Sequence, residues 1–143
     1  MGKIIAVCIS EKKGTKKHNI NTAKLIENFG IENDAHAGME KRQVSFLSYD
    51  KVKEFCQSGA KVGDGDFGEN ILAEGIDFKT LPIGTIMNCN GVRFEVTQIG
   101  KQCHAHCEIY HQVGDCIMPR EGIFAKVLNG GTISQGDELI VEK

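Results

Sequence analysis

Residues 83–99 of the chain read IGTIMNCNGVRFEVTQI. Two apolar runs, 83–88 and 92–99, flank the pair Asn90-Gly91, and apolar residues alternate with polar ones along the second run. Asparagine followed by glycine accepts the positive φ angles of a tight turn whose twist matches that of two paired strands. The stretch therefore predicts a β-hairpin with its turn at Cys89-Asn90-Gly91.

Other short apolar runs have strand length, and they cover residues 3–9, 43–47, 70–73, 122–128 and 138–141. Residues 23–29 are a further strand candidate, although their periodicity also suits a helical turn. Ser48 is a good N-cap, and Val52, Phe55 and Cys56 recur at helical spacing, so residues 49–57 are predicted as a helix. The predicted fold class is mostly β (α+β), a β-barrel-like domain of roughly seven short strands and one clear helix.

Length and composition limit the class of protein. At 143 residues the chain fits one domain, 1–143, and its formal charge of −2 gives no reason to expect a nucleic acid or an anionic membrane as partner. No apolar run approaches the roughly 20 residues of a membrane span, and no signal peptide is visible. We therefore expect a cytoplasmic protein, in which the six cysteines are free thiols, metal ligands or catalytic groups.

Residues 103–116 concentrate sulfur and imidazole groups, with three of the six cysteines and three of the five histidines. The segment follows the predicted strand 92–99, so it begins where a strand ends in a loop. A cysteine reacts as its thiolate, which nearby cations favour. Lys101 and His104 flank Cys103 and could stabilise either a thiolate or an anionic persulfide. Cys103, Lys101 and His104 are therefore the candidate catalytic residues.

The same segment could bind a metal. Cys103, Cys107 and His111 are spaced four residues apart, which would align them along one helical face. With Cys116, or with a neighbouring histidine, they would complete a tetrahedral zinc site. Structural zinc sites usually have two ligand pairs separated by a longer insert, which this run lacks, and thiolates also suit molybdenum or copper(I). Alternatively, Cys107 could resolve a persulfide or sulfenic acid on Cys103 by forming a disulfide.

Several polar residues outside this segment could shape a pocket. Asp34 and His36 share a glycine-flanked loop, where the carboxylate orients the imidazole or where both residues simply serve a turn. Arg42 precedes Gln43 at a strand start, and its guanidinium could bind a cofactor phosphate or pair with Asp34. Arg120 could bind an anion or lie in an exposed turn. These alternatives stay open at the level of the residues.

Short motifs extend along nearly the whole chain. They are GIENDAHAG (30–38), RQVS (42–45), GDFGENI (65–71), LPIG (81–84), GKQC (100–103), GIFAKVLNGG (122–131) and GD (136–137). Together and in this order they resemble the motifs of the MOSC domain family, which takes its name from the C-terminal region of molybdenum cofactor sulfurase. The resemblance implies a single MOSC domain over 1–143, a mostly β barrel with one or a few short helices, and a link to sulfur transfer or the molybdenum cofactor.

The resemblance also implies roles for individual residues. Cys103 of the GKQC motif corresponds to the family's functional cysteine, which ligates molybdenum in members that bind the cofactor and is proposed to carry a persulfide in others. Glu69 and Asn70 are implied to lie near the same pocket. The candidate cofactor-binding residues are therefore Asp34, His36, Arg42, Gln43, Glu69, Asn70 and Arg120. The candidate metal ligands are Cys103, Cys107, His111 and Cys116.

The function expected from the resemblance is a stand-alone MOSC domain that handles sulfur or the molybdenum cofactor through Cys103. As a persulfide carrier with sulfurtransferase-like activity, it would need a cysteine desulfurase-like donor and an acceptor protein or cofactor, because the sequence contains no pyridoxal-phosphate desulfurase domain. One alternative is a molybdenum cofactor-binding module with Cys103 as metal ligand. A second is a zinc-binding or redox-sensing module built on the cysteines and histidines. A third is detoxification of a modified purine or a hydroxylamine-type compound.

Overall fold

The structure of the chain is a computed structural model that describes residues 2–10, 18–34, 37–38, 43–56, 69–99 and 122–142. These ranges contain eleven strands and one α-helix. In chain order they are β1 (Gly2–Ile9), β2 (His18–Asn19), β3 (Thr22–Ile26), β4 (Gly30–Ile31), β5 (Val44–Ser48), α1 (Tyr49–Cys56), β6 (Ile71–Glu74), β7 (Ile86–Cys89), β8 (Val92–Ile99), β9 (Ile123–Asn129), β10 (Gly131–Ser134) and β11 (Glu138–Val141).

Seven of the described strands close into a barrel. Their order around the barrel is β1, β11, β7, β8, β9, β5, β6 and back to β1. Closure comes from β1 and β11, where Gly2 faces Leu139 and Lys3 faces Glu138. Neighbouring strands are antiparallel except β5 and β6, which run parallel on either side of α1 in the chain. The mostly β barrel that the sequence predicted is confirmed.

The remaining described strands lie outside this closed ring. Strands β10, β3 and β4 form a separate antiparallel sheet, and the two-residue strand β2 pairs with the end of β1. The sequence did not predict β2, β4 or β10. Strands β2 and β4 have two residues each, and the four residues of β10 bury only one apolar side chain, Ile133. Elements this short carry too little periodicity to be detected in a sequence.

The hairpin predicted from residues 83–99 is present as β7 and β8. Asn90 and Gly91 both adopt positive φ, 52° and 84°, as the tight turn requires. The first strand is shorter than predicted, because it begins at Ile86. Residues 82–85 form a turn closed by a hydrogen bond from the Thr85 amide to the Pro82 carbonyl (3.1 Å).

The strands predicted at 3–9, 43–47, 70–73, 122–128 and 138–141 are confirmed, each within one residue of its observed bounds. The strand predicted at 23–29 is wrong at its C-terminal end, because β3 ends at Ile26. Asn28 then takes a positive φ of 54° in a turn, which asparagine tolerates better than most residues. The helix predicted at 49–57 is observed as Tyr49–Cys56.

The barrel interior is filled by aromatic and aliphatic side chains. Phe46 on β5 packs edge-to-face on Phe94 of β8, with ring centroids 5.1 Å apart, and lies 5.5 Å from the Phe78 ring. All three rings are fully buried. Along β8, Val92, Phe94 and Val96 are buried while Arg93 and Glu95 are half-exposed, so the alternation read from the sequence marks the inward face.

Strand β5 is different, because all five of its residues are buried. Helix α1 packs against β5 and β6, with Val52 buried in that contact. A strand covered on both faces reads as a continuous apolar run with few polar positions. Ser45 and Ser48 are therefore the two polar exceptions in a buried strand, and Ser45 is central to the site described next.

Candidate functional site

Asn70 lies at the point where β1, β5 and β6 meet, and its side chain is 2% exposed. Its Oδ1 accepts hydrogen bonds from the backbone N (2.9 Å) and Oγ (3.1 Å) of Ser45. Its Nδ2 donates to the Cys8 carbonyl (3.0 Å) and to Asp34 Oδ2 (3.1 Å). An asparagine amide has two donor hydrogens and two main acceptor positions, so these four contacts use the whole group.

Asp34 is held against the end of β1. Its Oδ1 accepts a hydrogen bond from the Ser10 backbone N (3.1 Å), and its Oδ2 accepts the bond from Asn70. The side chain is 7% exposed. Two N–H groups from separate parts of the chain thus fix the position of this carboxylate, and hydrogen bonds to a charged acceptor are stronger than those between neutral groups.

Ser10 differs from its neighbours in this network. The residue is 1% exposed, and its Oγ has no hydrogen-bond partner among the described residues. Most buried polar side-chain atoms in proteins have at least one partner, and a buried group without one costs about 1–3 kcal/mol. We call Ser10, Asp34, Ser45 and Asn70 the Asn70 cluster.

Glu69 adds a second buried carboxylate at this end of the barrel. It immediately precedes Asn70 in the chain and is fully buried. A buried carboxylate is costly unless it is paired, and Glu69 is not without an interaction partner in the structure. Among the residues that the structure describes, no group of three histidine, cysteine or carboxylate side chains is arranged to hold a metal ion.

Gln43 is buried as well, but it belongs to a separate network. Its Oε1 accepts a hydrogen bond from the Val127 backbone N (3.0 Å), and its Nε2 donates to Asn28 Oδ1 (3.2 Å). The Asn28 backbone N donates in turn to the Val127 carbonyl (2.8 Å). Both ends of the Gln43 amide therefore contact protein groups, and they attach the turn after β3 to β9.

Strand register relates the Asn70 cluster to Ile99, the last residue of β8. Ile99, Ile123, Phe46, Ile71 and Val7 are successive pairing partners across β8, β9, β5, β6 and β1. Ser45 and Asn70 of the cluster are the chain neighbours of Phe46 and Ile71 in this row. Cys8, whose carbonyl binds Asn70, is the chain neighbour of Val7. The C-terminal end of β8 and the N-terminal end of β9 therefore lie in the same row of paired residues as the chain neighbours of the cluster.

Of the predicted site residues, the structure brings Asp34 and Asn70 into contact and buries Glu69 beside them. Gln43, also predicted, lies in the separate network with Asn28 and Val127. The remaining predicted residues lie outside the described residues and stay predictions; they are His36, Arg42, Lys101, Cys103, His104, Cys107, His111, Cys116 and Arg120. Sequence reasoning missed Ser10 and Ser45. Ser45 gave a usable signal, a serine inside an otherwise apolar strand, whereas Ser10 resembled an ordinary strand end.

Two cysteines of the barrel are poor candidates for chemistry. Cys8 and Cys89 form no disulfide within the described part of the chain, and neither has exposed surface. Burial, with a further contribution from the charge of Asp137, raises the pKa of Cys89 from 9.0 to about 12. A thiol of this kind is protonated at neutral pH, and the thiolate is the nucleophilic form. Cys89 is therefore a structural residue.

A cavity of about 450 Å³ lies at the opposite end of β1 from Ser10. The described residues that line it are Gly2, Lys3, Asp50, Glu74, Gly75 and Glu138. Asp50 Oδ2 accepts a hydrogen bond from the Gly75 amide (3.0 Å), which ties α1 to the end of β6. Of the predicted site residues that the structure describes, none lines this cavity, and we assign no role to it.

Comparison with known proteins identifies the family. The family model described as "MOSC domain" matches residues 33–140, and the chain belongs to this family. The matched range includes the GKQC motif at 100–103 and the residues Asp34, Gln43, Glu69 and Asn70. No curated protein sequence matches the chain.

Solved structures share the fold at low sequence identity. The YuaD protein from Bacillus subtilis is 18% identical, with a TM-score of 0.81, and the alignment covers 99% of this chain and 96% of that one. YiiM from Geobacillus stearothermophilus is 17% identical, with a TM-score of 0.74 and coverage of 100% and 76%. YiiM from Escherichia coli is 15% identical, with a TM-score of 0.65 and coverage of 99% and 70%. At these identities the likeness concerns the fold.

The helix content of the described part of the chain is also relevant to membrane insertion. Within it, no helix is both long and apolar enough to cross a bilayer.

Proposed function

We propose that this MOSC domain carries sulfane sulfur as a persulfide on Cys103 and delivers it for metal–sulfur or molybdenum cofactor sulfuration. The observation that carries the proposal is the family match over residues 33–140, which includes the GKQC motif. Strand β8 ends at Ile99, directly before that motif, which supports the expected placement of the cysteine after a strand. The family's link to molybdenum cofactor sulfurase makes sulfur the natural cargo.

The transfer step requires no external oxidant. The Cys103 thiolate attacks the terminal sulfur of a donor persulfide, a new S–S bond forms, and the donor cysteine leaves as a thiolate. Delivery to an acceptor thiolate is the same exchange in reverse. Lys101 and His104 would stabilise the anionic thiolate and persulfide, since both carry or can carry positive charge. The step needs a cysteine desulfurase-like donor and an acceptor as protein partners.

The molybdenum cofactor itself would fit the described residues in one respect. Asp34 presents a fixed carboxylate, and Ser10 Oγ has no hydrogen-bond partner among the described residues. Both features suit a ligand that offers polar ring edges. Asp34 and Ser10 would then hold the organic part, and Cys103 would be a soft ligand for the metal. A bound cofactor would supply molybdenum redox chemistry. This is the alternative in which the chain is a cofactor-binding module.

Intact mass and metal content of one anaerobic preparation distinguish these functions. The protein would be purified from a host with active molybdenum cofactor synthesis, alongside Cys103→Ala and Cys107→Ser variants. We expect a sulfur-sized mass increment that Cys103→Ala abolishes and Cys107→Ser retains. Cyanide, which removes sulfane sulfur as thiocyanate, should erase the increment.

Other results would replace the proposal. Stoichiometric molybdenum that disappears in Cys103→Ala would favour the cofactor-binding module. Zinc that persists in Cys103→Ala but is lost in Cys107→Ser would favour a structural metal site. A protein that accepts no sulfur from a persulfide-loaded desulfurase in vitro would contradict the carrier function.

A further inference from the structure

Strand β10 forms one edge of the small sheet made of β10, β3 and β4, and β3 is its pairing partner among the described strands. An edge strand presents backbone N–H and C=O groups that can pair with a strand of another molecule. Gly131 and Thr132 of β10 are exposed to solvent. The outer edge of β10, on the side away from β3, is therefore a place where a second chain could add a strand.

Thr132 and Ser134 are the residues whose backbone faces this outer edge. In a strand, the N–H and C=O of one residue point to the same edge, and those of its neighbours point to the opposite edge. The Thr132 carbonyl and the Ser134 amide both bind groups that do not belong to β3, so these two residues point away from it. Residues that face each other without exchanging backbone hydrogen bonds have close side chains, and Ser134 Oγ lies 3.1 Å from Thr22 Oγ1 of β3.

Groups from two neighbouring turns occupy the outer edge. Asn90 Nδ2, in the turn between β7 and β8, donates to the Thr132 carbonyl (3.0 Å). Asp137, just before β11, accepts at Oδ2 from the Ser134 amide (2.8 Å) and donates its own amide to the Ser134 carbonyl (3.0 Å). Three of the four outward backbone groups are thus bound within the chain, and the fourth is the Thr132 amide.

We propose that Asn90 and Asp137 block the outer edge of β10 against antiparallel pairing with a second copy of this chain. A second copy suits the edge because pairing about Ile133 is symmetric. Thr132 of one copy would face Ser134 of the other, and their outward N–H and C=O groups would exchange hydrogen bonds. The barrel needs no such protection, because its seven strands close on themselves.

The test removes the two blocking side chains while keeping the turns. Asn90→Gly retains a residue that adopts the positive φ of this position but lacks the amide, and Asp137→Ala lacks the carboxylate. The double variant and wild type, as full chains, would be compared by analytical ultracentrifugation over a range of concentrations. Asn88→Ala is the matched control, because it removes a different hydrogen bond of the same turn, the one from the Gly91 amide (3.3 Å), which does not involve β10.

We expect the double variant to self-associate at least about tenfold more tightly than wild type, because the Thr132 carbonyl and the Ser134 amide become free to pair. Adding Thr132→Pro should return self-association to the wild-type level, since proline has no N–H for the new ladder. Asn88→Ala should behave like wild type. Far-UV circular dichroism of each variant would check that the fold is retained.

Self-association of the double variant equal to that of wild type would overturn the inference. Association that persists after Thr132→Pro, or that Asn88→Ala produces equally, would also overturn it, because either result would point to general destabilisation and not to the edge of β10. Should the double variant not fold, the single variant Asn90→Gly, which keeps both Asp137 contacts, carries the same expectation and the same criterion.

Discussion

Asn70 and Asp34 illustrate how a few polar residues fix the end of this barrel. Because every hydrogen-bonding position of the Asn70 amide is occupied, the residue joins β1, β5 and β6 and orients Asp34 at the same time. Low surrounding dielectric strengthens such a network and raises the penalty for leaving any member unpaired. A change of one atom in this amide is therefore expected to matter.

Replacing Asn70 by Asp tests that expectation. The variant would place a second carboxylate at the 3.1 Å contact with Asp34, and one proton would be shared between the two groups. The pKa of the pair would then exceed the value of about 4 for the unfolded chain, so the folded state binds the proton more tightly. We expect stability to fall as pH rises above about 4, with a deficit of about 3 kcal/mol at pH 8.

Urea unfolding of Asn70→Asp at pH 5 and pH 8 would measure this effect. The control is Asn88→Asp, whose Oδ1 accepts a hydrogen bond from the Gly91 amide (3.3 Å), a role that a carboxylate can fill. Equal losses for the two variants at both pH values would show that the contact with Asp34 is unimportant.

A second prediction at the residue scale concerns Cys89 and the pH dependence of stability. Its pKa of about 12 in the folded protein exceeds the ordinary 9.0, so the unfolded chain loses the thiol proton first as pH rises. Stability from this group is present below pH 9 and declines above it, by up to about 1.4 kcal/mol per pH unit. We expect the slope of unfolding free energy between pH 9 and 11 to be shallower in Cys89→Ala than in wild type. Identical slopes would contradict the assignment.

At the scale of the element, glycines support the strand connections in two physically different ways. Gly91 has a φ of 84°, but a Cβ added there would meet nothing within 4 Å. Glycine is therefore favoured at this position by the backbone conformation and not by lack of space. Gly130, between β9 and β10, needs no positive φ, but an added Cβ would lie 2.6 Å from the Leu25 carbonyl. Glycine is favoured at position 130 because the two backbones approach too closely to leave room for a side chain.

Paired substitutions would separate these causes. We expect Gly91→Ala to cost about 1 kcal/mol and Gly91→Asn clearly less, because asparagine tolerates a positive φ. At Gly130 we expect both Ala and Asn to cost more than 1 kcal/mol, since either adds the clashing atom. Chemical denaturation of the four variants gives the comparison, and recovery by asparagine at Gly130 would refute the steric explanation.

At the scale of the whole molecule, the barrel is organised around Phe46. This ring contacts Phe78 and Phe94, and residue 46 also belongs to the pairing row that extends from β8 to β1. Phe46 thus contributes its side chain to the packed interior and its backbone to the pairing of the barrel strands. Loss of its volume would leave a cavity that the surrounding strands cannot close without giving up their pairing.

Phe46→Ala is expected to reduce the free energy of unfolding by about 3–5 kcal/mol, through lost burial and the cavity left behind. Phe29→Ala is the control, because that ring is 40% exposed, and we expect it to cost less than about 1 kcal/mol. Urea titrations of both variants provide the measurement. A cost for Phe46→Ala as small as the control's would mean that the interior repacks freely.

The sequence alone determined those features that depend on near neighbours. Turn chemistry at Asn90-Gly91, alternation along β8 and helical spacing after Ser48 are each contained within a few residues, so the hairpin, most barrel strands and the helix were predictable. The ordered motifs likewise indicate the MOSC family from the sequence alone. The predicted strand bounds were wrong at 83–85 and 27–29, where the chain forms turns instead of strand.

Only the tertiary structure decided which polar residues meet. Ser10, Asp34, Ser45 and Asn70 are far apart in the chain, and their contacts depend on the register of β1 with β6 and of β6 with β5. Hydrophobic periodicity specifies which face of a strand is buried, but it carries no information about which strands become neighbours. The enclosed hydroxyl of Ser10 and the fixed carboxylate of Asp34 are products of that long-range pairing.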